Sequence, residues 1–174
     1  GEIYNYKILK FELEKEGVLF NTNSDTEVIL KLYEKHGVDC FNMLDGMFAF
    51  SIYDKNKNKI FIARDFFGEK PLFYTKDGGA FYWASELKSI VNSLKFNPVI
   101  SKKATSLYFQ LTYIPAPFTI YENIYKLESN HYLEFDCIDF NFEIKGIKEK
   151  QQIKYGKLSF ENAKKITKKL IFNS

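Results

Sequence analysis

Apolar residues crowd most densely into Asp45–Glu86. Four runs stand out there: Met47–Tyr53, Ile60–Ala63, Leu72–Thr75 and Ala80–Ala84. Each is rich in aromatic or β-branched residues and predicts a strand. The short polar breaks Asp54–Lys59 and Lys76–Gly79 join them in pairs, as hairpin connections do. In the first run Phe48, Phe50 and Ile52 share one face, and Met47, Ala49, Ser51 and Tyr53 share the other. Neither face is polar, so the sheet is expected to be covered on both sides.

Helical spacing appears on either side of this block. Tyr6, Leu9 and Leu13 predict a helix over Tyr6–Glu16, stopped by Gly17. Ser24-Asp25-Thr26-Glu27 reads as a capping box, with Ser24 as N-cap and Glu27 at the third helical position. The helix behind it turns Val28, Ile29, Leu32 and Tyr33 to one side and ends at Gly37. Gly1–Tyr4 reads as extended, Val18–Phe20 as a short strand and Phe41–Leu44 as a turn of helix. Glu86–Val91 and Lys102–Leu111 are expected to be helices, the second with Ala104, Leu107, Tyr108 and Leu111 inward. Pro115 and Pro117 hold Tyr113–Phe118 extended. His131–Phe135 predicts a late strand, continued as a hairpin by Phe140–Ile147. Ser159 caps a last helix, Phe160–Ile171, with a stripe of Ala163, Ile166, Thr167 and Leu170.

Composition narrows the class. Hydrophobic residues make up 45% and aromatics 18% of 174 residues, enough for one domain with a real core and too many for a disordered chain. The two cysteines, Cys40 and Cys137, cannot frame a disulfide scaffold and are expected to be reduced and buried. No run approaches the roughly 20 apolar residues that span a bilayer, and no signal peptide is expected. No membrane partner and a cytoplasmic location are therefore expected. From Asn141 to Ser174 there are nine lysines and three glutamates. They lie on the polar side of the last helix and in a loop, so a solvated face is expected and no nucleic-acid partner. The chain begins with Gly1 inside a predicted strand and stops within a helical pattern, and reads as a piece of a longer protein.

Six stretches occur in order: GEIYNY (Gly1–Tyr6), SDTEVIL (Ser24–Leu30), LDGMFAFSIYD (Leu44–Asp54), ARDFFGEKPLFY (Ala63–Tyr74), ASELK (Ala84–Lys88) and YIPAPFTIYENIYKL (Tyr113–Leu127). Together they resemble the glutaminase half of glutamine-hydrolysing asparagine synthetases, a class II glutamine amidotransferase domain. The resemblance is firm over Gly1–Phe135 and weaker to Ser174. It implies an α+β fold of the N-terminal-nucleophile hydrolase type: an αββα sandwich of two mainly antiparallel sheets flanked by helices. It divides the chain into residues 1–148, a partial amidotransferase domain, and 149–174, a linker and the first helix of a synthetase domain.

The chemistry is implied by the same resemblance. In the family an N-terminal cysteine attacks the side-chain amide of glutamine, with its own α-amine as base. The ammonia then reaches a synthetase domain, where Mg-ATP activates aspartate. Glutamine and that synthetase domain are the implied partners. No cofactor is implied for this chain itself. Gly1 corresponds to the family's backbone oxyanion donor, but the Asn that supplies the second donor is absent, and so is the nucleophile. Losing one such donor costs on the order of 10²–10³ in rate, so this chain by itself is expected to be inactive. Glu2 and Asp25 correspond to the two carboxylates that receive the glutamine ammonium, since each can satisfy N–H donors of a buried cation.

Plainer explanations stand beside these. Asp25 lies in a first helical turn, where the helix dipole favours an acid in any case. Glu2 also reads as a surface acid. Arg64, Asp65, Gly68, Lys70 and Pro71 look like a phosphate loop, but a lone Gly-x-Lys is weak, and a structural turn between two core strands is expected. His36 and His131 are read as a helix-end and a strand residue. Two other functions stay open: a non-catalytic scaffold domain of the same fold, and the glutaminase half of an amidotransferase making another product. An uncovered strand would also make the chain prone to pair with a copy of itself as a homodimer.

Overall fold

The computed structural model describes residues 1–95, 97–147 and 159–172. Its strands are β1 (Glu2–Ile3), β2 (Gly46–Met47), β3 (Ala49–Asp54), β4 (Lys59–Arg64), β5 (Phe73–Asp77), β6 (Ala80–Ala84), β7 (Tyr125–Lys126), β8 (His131–Asp136) and β9 (Phe142–Gly146). Its helices are α1 (Tyr6–Lys15), α2 (Asp25–His36), α3 (Leu87–Ser93), α4 (Lys102–Leu111) and α5 (Phe160–Phe172). A 3₁₀ segment, Gly37–Met43, follows α2.

Two antiparallel sheets carry the core. One has the order β3-β4-β8-β9 and the other β6-β5-β7. The first sheet is apolar on both faces. Phe48, beside β3, and Ile52, Phe61, Ala63 and Tyr132 pack under α1, α2 and the 3₁₀ segment, against Leu9, Leu13, Leu32 and Phe41. On the opposite face Ile62, Leu133 and Phe135 meet Leu72, Tyr74 and Leu127 of the second sheet. Phe81 of β6 stacks on Phe135 of β8 at 4.5 Å between ring centroids, an offset aromatic contact that pins the two sheets together. Helix α3 covers β5 and β6, with Ile90 buried. The layers are thus helix, sheet, sheet, helix.

Local chemistry accounts for the element ends. The β5–β6 hairpin closes through Gly78 and Gly79, with φ of 54° and 81°, as a two-residue type I′ turn requires. Lys76 and Asp77 extend the strand rather than break it, since Asp77 pairs with Ala80. In the β3–β4 loop, Asp54 Oδ1 accepts the N–H groups of Asn56 (3.0 Å) and Lys57 (3.1 Å), an Asx-type turn.

Several expectations are corrected. The run Met47–Tyr53 is two strands, because the Phe48 N–H leaves the ladder to meet the Asp65 carboxylate at 3.3 Å. Val18–Phe20 is not a strand: the Val18 N–H returns to the Leu13 carbonyl at 3.0 Å, and Leu19 faces solvent. The capping box is only half made. Ser24 accepts from the Thr26 N–H at 3.2 Å, but Glu27 turns to the N–H groups of Asn21 (2.9 Å) and Thr22 (2.7 Å). Those bonds, the Asn21 one foremost, hold its carboxyl below the usual range. In α4 Ala104 is buried but Tyr108 and Leu111 are exposed, so the predicted inward stripe is only partly covered; no residue of α5 is buried. The predicted linker over 149–158 lies outside the described residues.

Candidate functional site

The motifs GEIYNY, SDTEVIL and LDGMFAFSIYD meet at β1. This strand is antiparallel to β2, with Glu2 opposite Met47 and Ile3 opposite Gly46. The approach is close enough to exclude side chains. A Cβ on Gly1 would lie 2.7 Å from the Met47 carbonyl oxygen, and one on Gly46 would lie 2.2 Å from that of Glu2. Gly46 also has φ of +154°, which non-glycine residues rarely adopt. Asn5 fastens the pair from the side. Its amide nitrogen donates to the Met43 carbonyl (2.9 Å), and its oxygen accepts from the Asp45 N–H (3.0 Å).

Asp25 reaches this strand from the first turn of α2. Its Oδ2 accepts the Ile3 N–H at 3.2 Å. The carboxylate therefore sits against the peptide that joins Glu2 to Ile3. Ile3 is buried, Asp25 is half-buried, and Gly1 and Glu2 are exposed. The structure thus brings Gly1, Glu2 and Asp25 to one place, although Asp25 is more than twenty residues away in sequence. The helix-dipole explanation of Asp25 is incomplete, because the carboxylate also makes a contact outside its own helix.

Beside β1 lies a pocket of about 280 Å³, lined among others by Tyr4, Asp45, Gly46, Phe48, Phe67 and Glu69. The surroundings of Tyr4 are acidic. Burial first, then the charges of Glu69, Glu2, Asp45 and Asp65, push its phenol above the ordinary value. Such a field favours a cationic group over an anionic one.

The Arg64–Pro71 segment, expected to be structural, carries the pocket wall. Asp65 is fully buried and accepts three N–H groups: Phe48 at 3.3 Å, Glu69 at 2.9 Å and Lys70 at 3.0 Å. Arg64 donates from all three guanidinium nitrogens to backbone carbonyls, namely Lys70 (2.8 Å), Gly68 (2.6 Å) and Leu127. It is no phosphate loop, since the Arg64 guanidinium is committed to backbone carbonyls of the turn and of Leu127. Asn5, Tyr4 and Asp65 are contributors that sequence reasoning missed as such. The Asp45-Gly46 and Arg64-Asp65 pairs beside apolar runs were the signal that polar groups are needed there.

Neither cysteine joins the site. Cys40 is buried in the helix-side core, and burial first, then Asp39, pushes its thiol up to about 12. Cys137 packs against the sheet–sheet core. Among the described residues no group of three or more His, Cys, Asp or Glu is arranged to hold a metal ion, and no helix is long and apolar enough to cross a membrane.

Comparison with known proteins identifies the family. A family model described as a glutamine amidotransferase domain matches residues 1–144. A putative glutamine-hydrolysing asparagine synthetase of Methanocaldococcus jannaschii is 50% identical over 140 residues, covering 78% of this chain and 26% of that protein. Asparagine synthetase 1 of Bacillus subtilis is 43% identical over 131 residues, covering 74% of this chain and 20% of that protein. The chain therefore spans about a quarter or less of the length of these relatives. Among solved structures, the glutamine phosphoribosylpyrophosphate amidotransferase of B. subtilis matches with a TM-score of 0.61 at 21% identity, over 85% of this chain and 28% of that one. That likeness establishes the fold as the one these amidotransferases share. With its matched residues reaching from Gly1 into β9, the chain belongs to the glutamine amidotransferase domain family.

Proposed function

We propose that this chain is the glutamine-binding part of a glutamine-hydrolysing asparagine synthetase. Residues 1–148 are part of the glutaminase domain in this reading, and 149–174 are a linker and the first helix of a synthetase domain. Glu2 and Asp25 receive the α-ammonium of glutamine, and the Gly1 N–H is one oxyanion donor. Hydrolysis breaks the amide C–N bond, water completes the carboxylate, and ammonia leaves. Mg-ATP belongs to the synthetase part, and no residue of this chain is given a role toward it.

The observation that carries the reading is the contact between Asp25 and the Glu2–Ile3 peptide. It sets two acids from separate motifs around one exposed strand end. A buried or half-buried ammonium needs this, since each oxygen replaces part of its lost hydration. The 50% identity to a putative glutamine-hydrolysing asparagine synthetase supports the choice of acceptor, aspartate.

The test uses the product of the reading frame that contains these residues. With aspartate and Mg-ATP it should form asparagine from either glutamine or ammonia. Formation from ammonia alone would favour the scaffold function, and formation of a different amide would reassign the acceptor. The 174-residue chain by itself should release no ammonia from glutamine. Turnover abolished by Cys40→Ser or Cys137→Ser would contradict this.

A further inference from the structure

Strand β9 is an outer strand of the first sheet, and among the described residues it pairs only with β8. The ladder fixes which of its backbone groups point outward. The Asp136 N–H donates to the Asn141 carbonyl at 2.9 Å, and the Ile147 N–H donates to that of Asn130 at 2.8 Å. The register between them sets His131 opposite Gly146 and Phe135 opposite Phe142. Bonded and unbonded pairs alternate along an antiparallel ladder. Glu143 and Lys145 therefore turn their N–H and C=O groups to β8, and Phe142, Ile144 and Gly146 turn theirs away from the sheet. Phe142, Ile144 and Gly146 also share one face of the strand. Phe142 and Ile144 are exposed, and a Cβ on Gly146 would meet nothing within 4 Å. Glu143 and Lys145 lie on the other face, the Glu143 side chain 74% exposed. An open edge of this kind is a template for another strand.

We propose that β9 pairs antiparallel with β9 of a second copy of this chain, about a two-fold axis at Ile144. Charge complementarity selects both the occupant and the register. With the axis at Ile144, Glu143 of each copy lies opposite Lys145 of the other. These are unbonded positions, where Cα atoms come within about 4.5 Å and cross-strand pairs interact most closely. Moving the axis to Glu143 or to Lys145 keeps the outward backbone groups in phase but sets two like charges face to face, which is destabilising. Lys145 is already held by Glu134 at 2.8 Å, so its ammonium loses little freedom on pairing. In the same register the outward groups of Ile144 bond those of Ile144 in the second copy, and those of Phe142 bond those of Gly146. The Phe142 ring then fills the open space beside that glycine. The contact uses the same strand on both copies, so it closes on itself as a dimer, and it does not depend on the glutaminase reading.

The experiment is sedimentation of the full reading-frame product, with circular dichroism to confirm that each variant is folded. The unaltered protein should be a dimer. Glu143→Lys and Lys145→Glu each set like charges across the axis, and each should weaken the dimer by about tenfold or more. An equimolar mixture of the two variants should recover the dimer, because each copy then opposes the other's charges. Ile144→Pro removes an outward N–H without touching the bonds to β8, as an edge strand allows, and should also give monomer. Should Lys145→Glu, which also takes a partner from Glu134, fail to fold, Glu143→Lys and Ile144→Pro decide the matter. A monomeric unaltered protein would overturn the proposal. So would a dimer that persists undiminished in Glu143→Lys or in Ile144→Pro, or two folded charge variants that do not pair when mixed.

Discussion

Asp65 is the polar residue on which the site most depends for its shape. It is fully buried and accepts N–H groups from Phe48, Glu69 and Lys70. Asp65→Ala leaves all three without that acceptor, at about 1–3 kcal/mol for each donor that stays buried and unmet. A loss of about 3 kcal/mol is expected, read as a lower denaturant midpoint. Asp65→Asn keeps one acceptor oxygen and should lose less. If Asp65→Ala unfolds at the wild-type midpoint, the buried carboxylate is not what holds the turn.

Glu134 makes a different kind of prediction. On the β8 strand it meets Lys59 of β4 and Lys145 of β9, the latter at 2.8 Å. Burial pushes its carboxyl up, but the Lys145 and Lys59 hydrogen bonds outweigh that and hold it below the ordinary value. Lys145 is correspondingly raised, chiefly by Glu134 and then Glu143. A lowered carboxyl stabilises the fold above its unfolded pKa, and that stability is lost as pH falls through the folded value. A raised lysine stabilises below its unfolded pKa and is lost as pH rises through its folded value. The cluster is therefore fully formed at neutral pH and weakens in acid. Glu134→Gln should cost about 1 kcal/mol near pH 7, and the difference from wild type should shrink below the glutamate range. A gap that is constant with pH would mean that packing, not charge, is what the variant loses.

At the scale of elements, β1 and β2 are the shortest strands that matter. Gly46→Ala places a methyl group 2.2 Å from the Glu2 carbonyl oxygen, at a φ of +154°. The two strands must separate, and Glu2 must move away from Asp25. Hydrogen exchange should then show faster exchange at Tyr4, whose N–H bonds the Asp45 carbonyl, with the sheet–sheet core unchanged. Unaltered protection at Tyr4 would show that the strands tolerate the methyl group.

The same scale shows what could be read in advance. Alternation and 3.6-residue spacing marked β3 to β6, α1 and α2, because their apolar faces meet cores that the fold supplies. The spacing placed α4 and α5 as helices, but Tyr108, Ile166 and Leu170 remain exposed: periodicity states that a face is apolar, not that anything covers it. It failed at Phe48, where a carboxylate distant in sequence outbids the ladder for one N–H. It failed at β7, two residues defined only by pairing with β5. Gly1, Glu2 and Asp25 were singled out through family resemblance alone. Their meeting depends on a backbone hydrogen bond that no local pattern announces.

For the whole molecule, the consequential feature is the edge of the first sheet. Among the described residues β3 pairs only with β4, and Tyr53 at its end and Leu30 of α2 are exposed. A groove of about 620 Å³ runs between β3 and the start of α2. An unpaired apolar edge is a template for another strand. The 174-residue chain alone is therefore expected to self-associate in sedimentation experiments. Ser51→Lys, which puts a charge on that edge, should shift it toward monomer. A monodisperse wild-type monomer with a cooperative, high-temperature transition would show that the edge needs no partner.

The account turns on Asp25 as a glutamine ligand rather than a helix-start acid. The direct measurement is the effect of Asp25→Asn, in the product of the full reading frame, on asparagine formation from glutamine and from ammonia. Removing one charged hydrogen bond to an ammonium should lower kcat/KM for glutamine by about 10- to 100-fold. Synthesis from ammonia should stay within about twofold, since ammonia bypasses this site. Equal loss of both activities, or no loss with glutamine, would contradict the assignment.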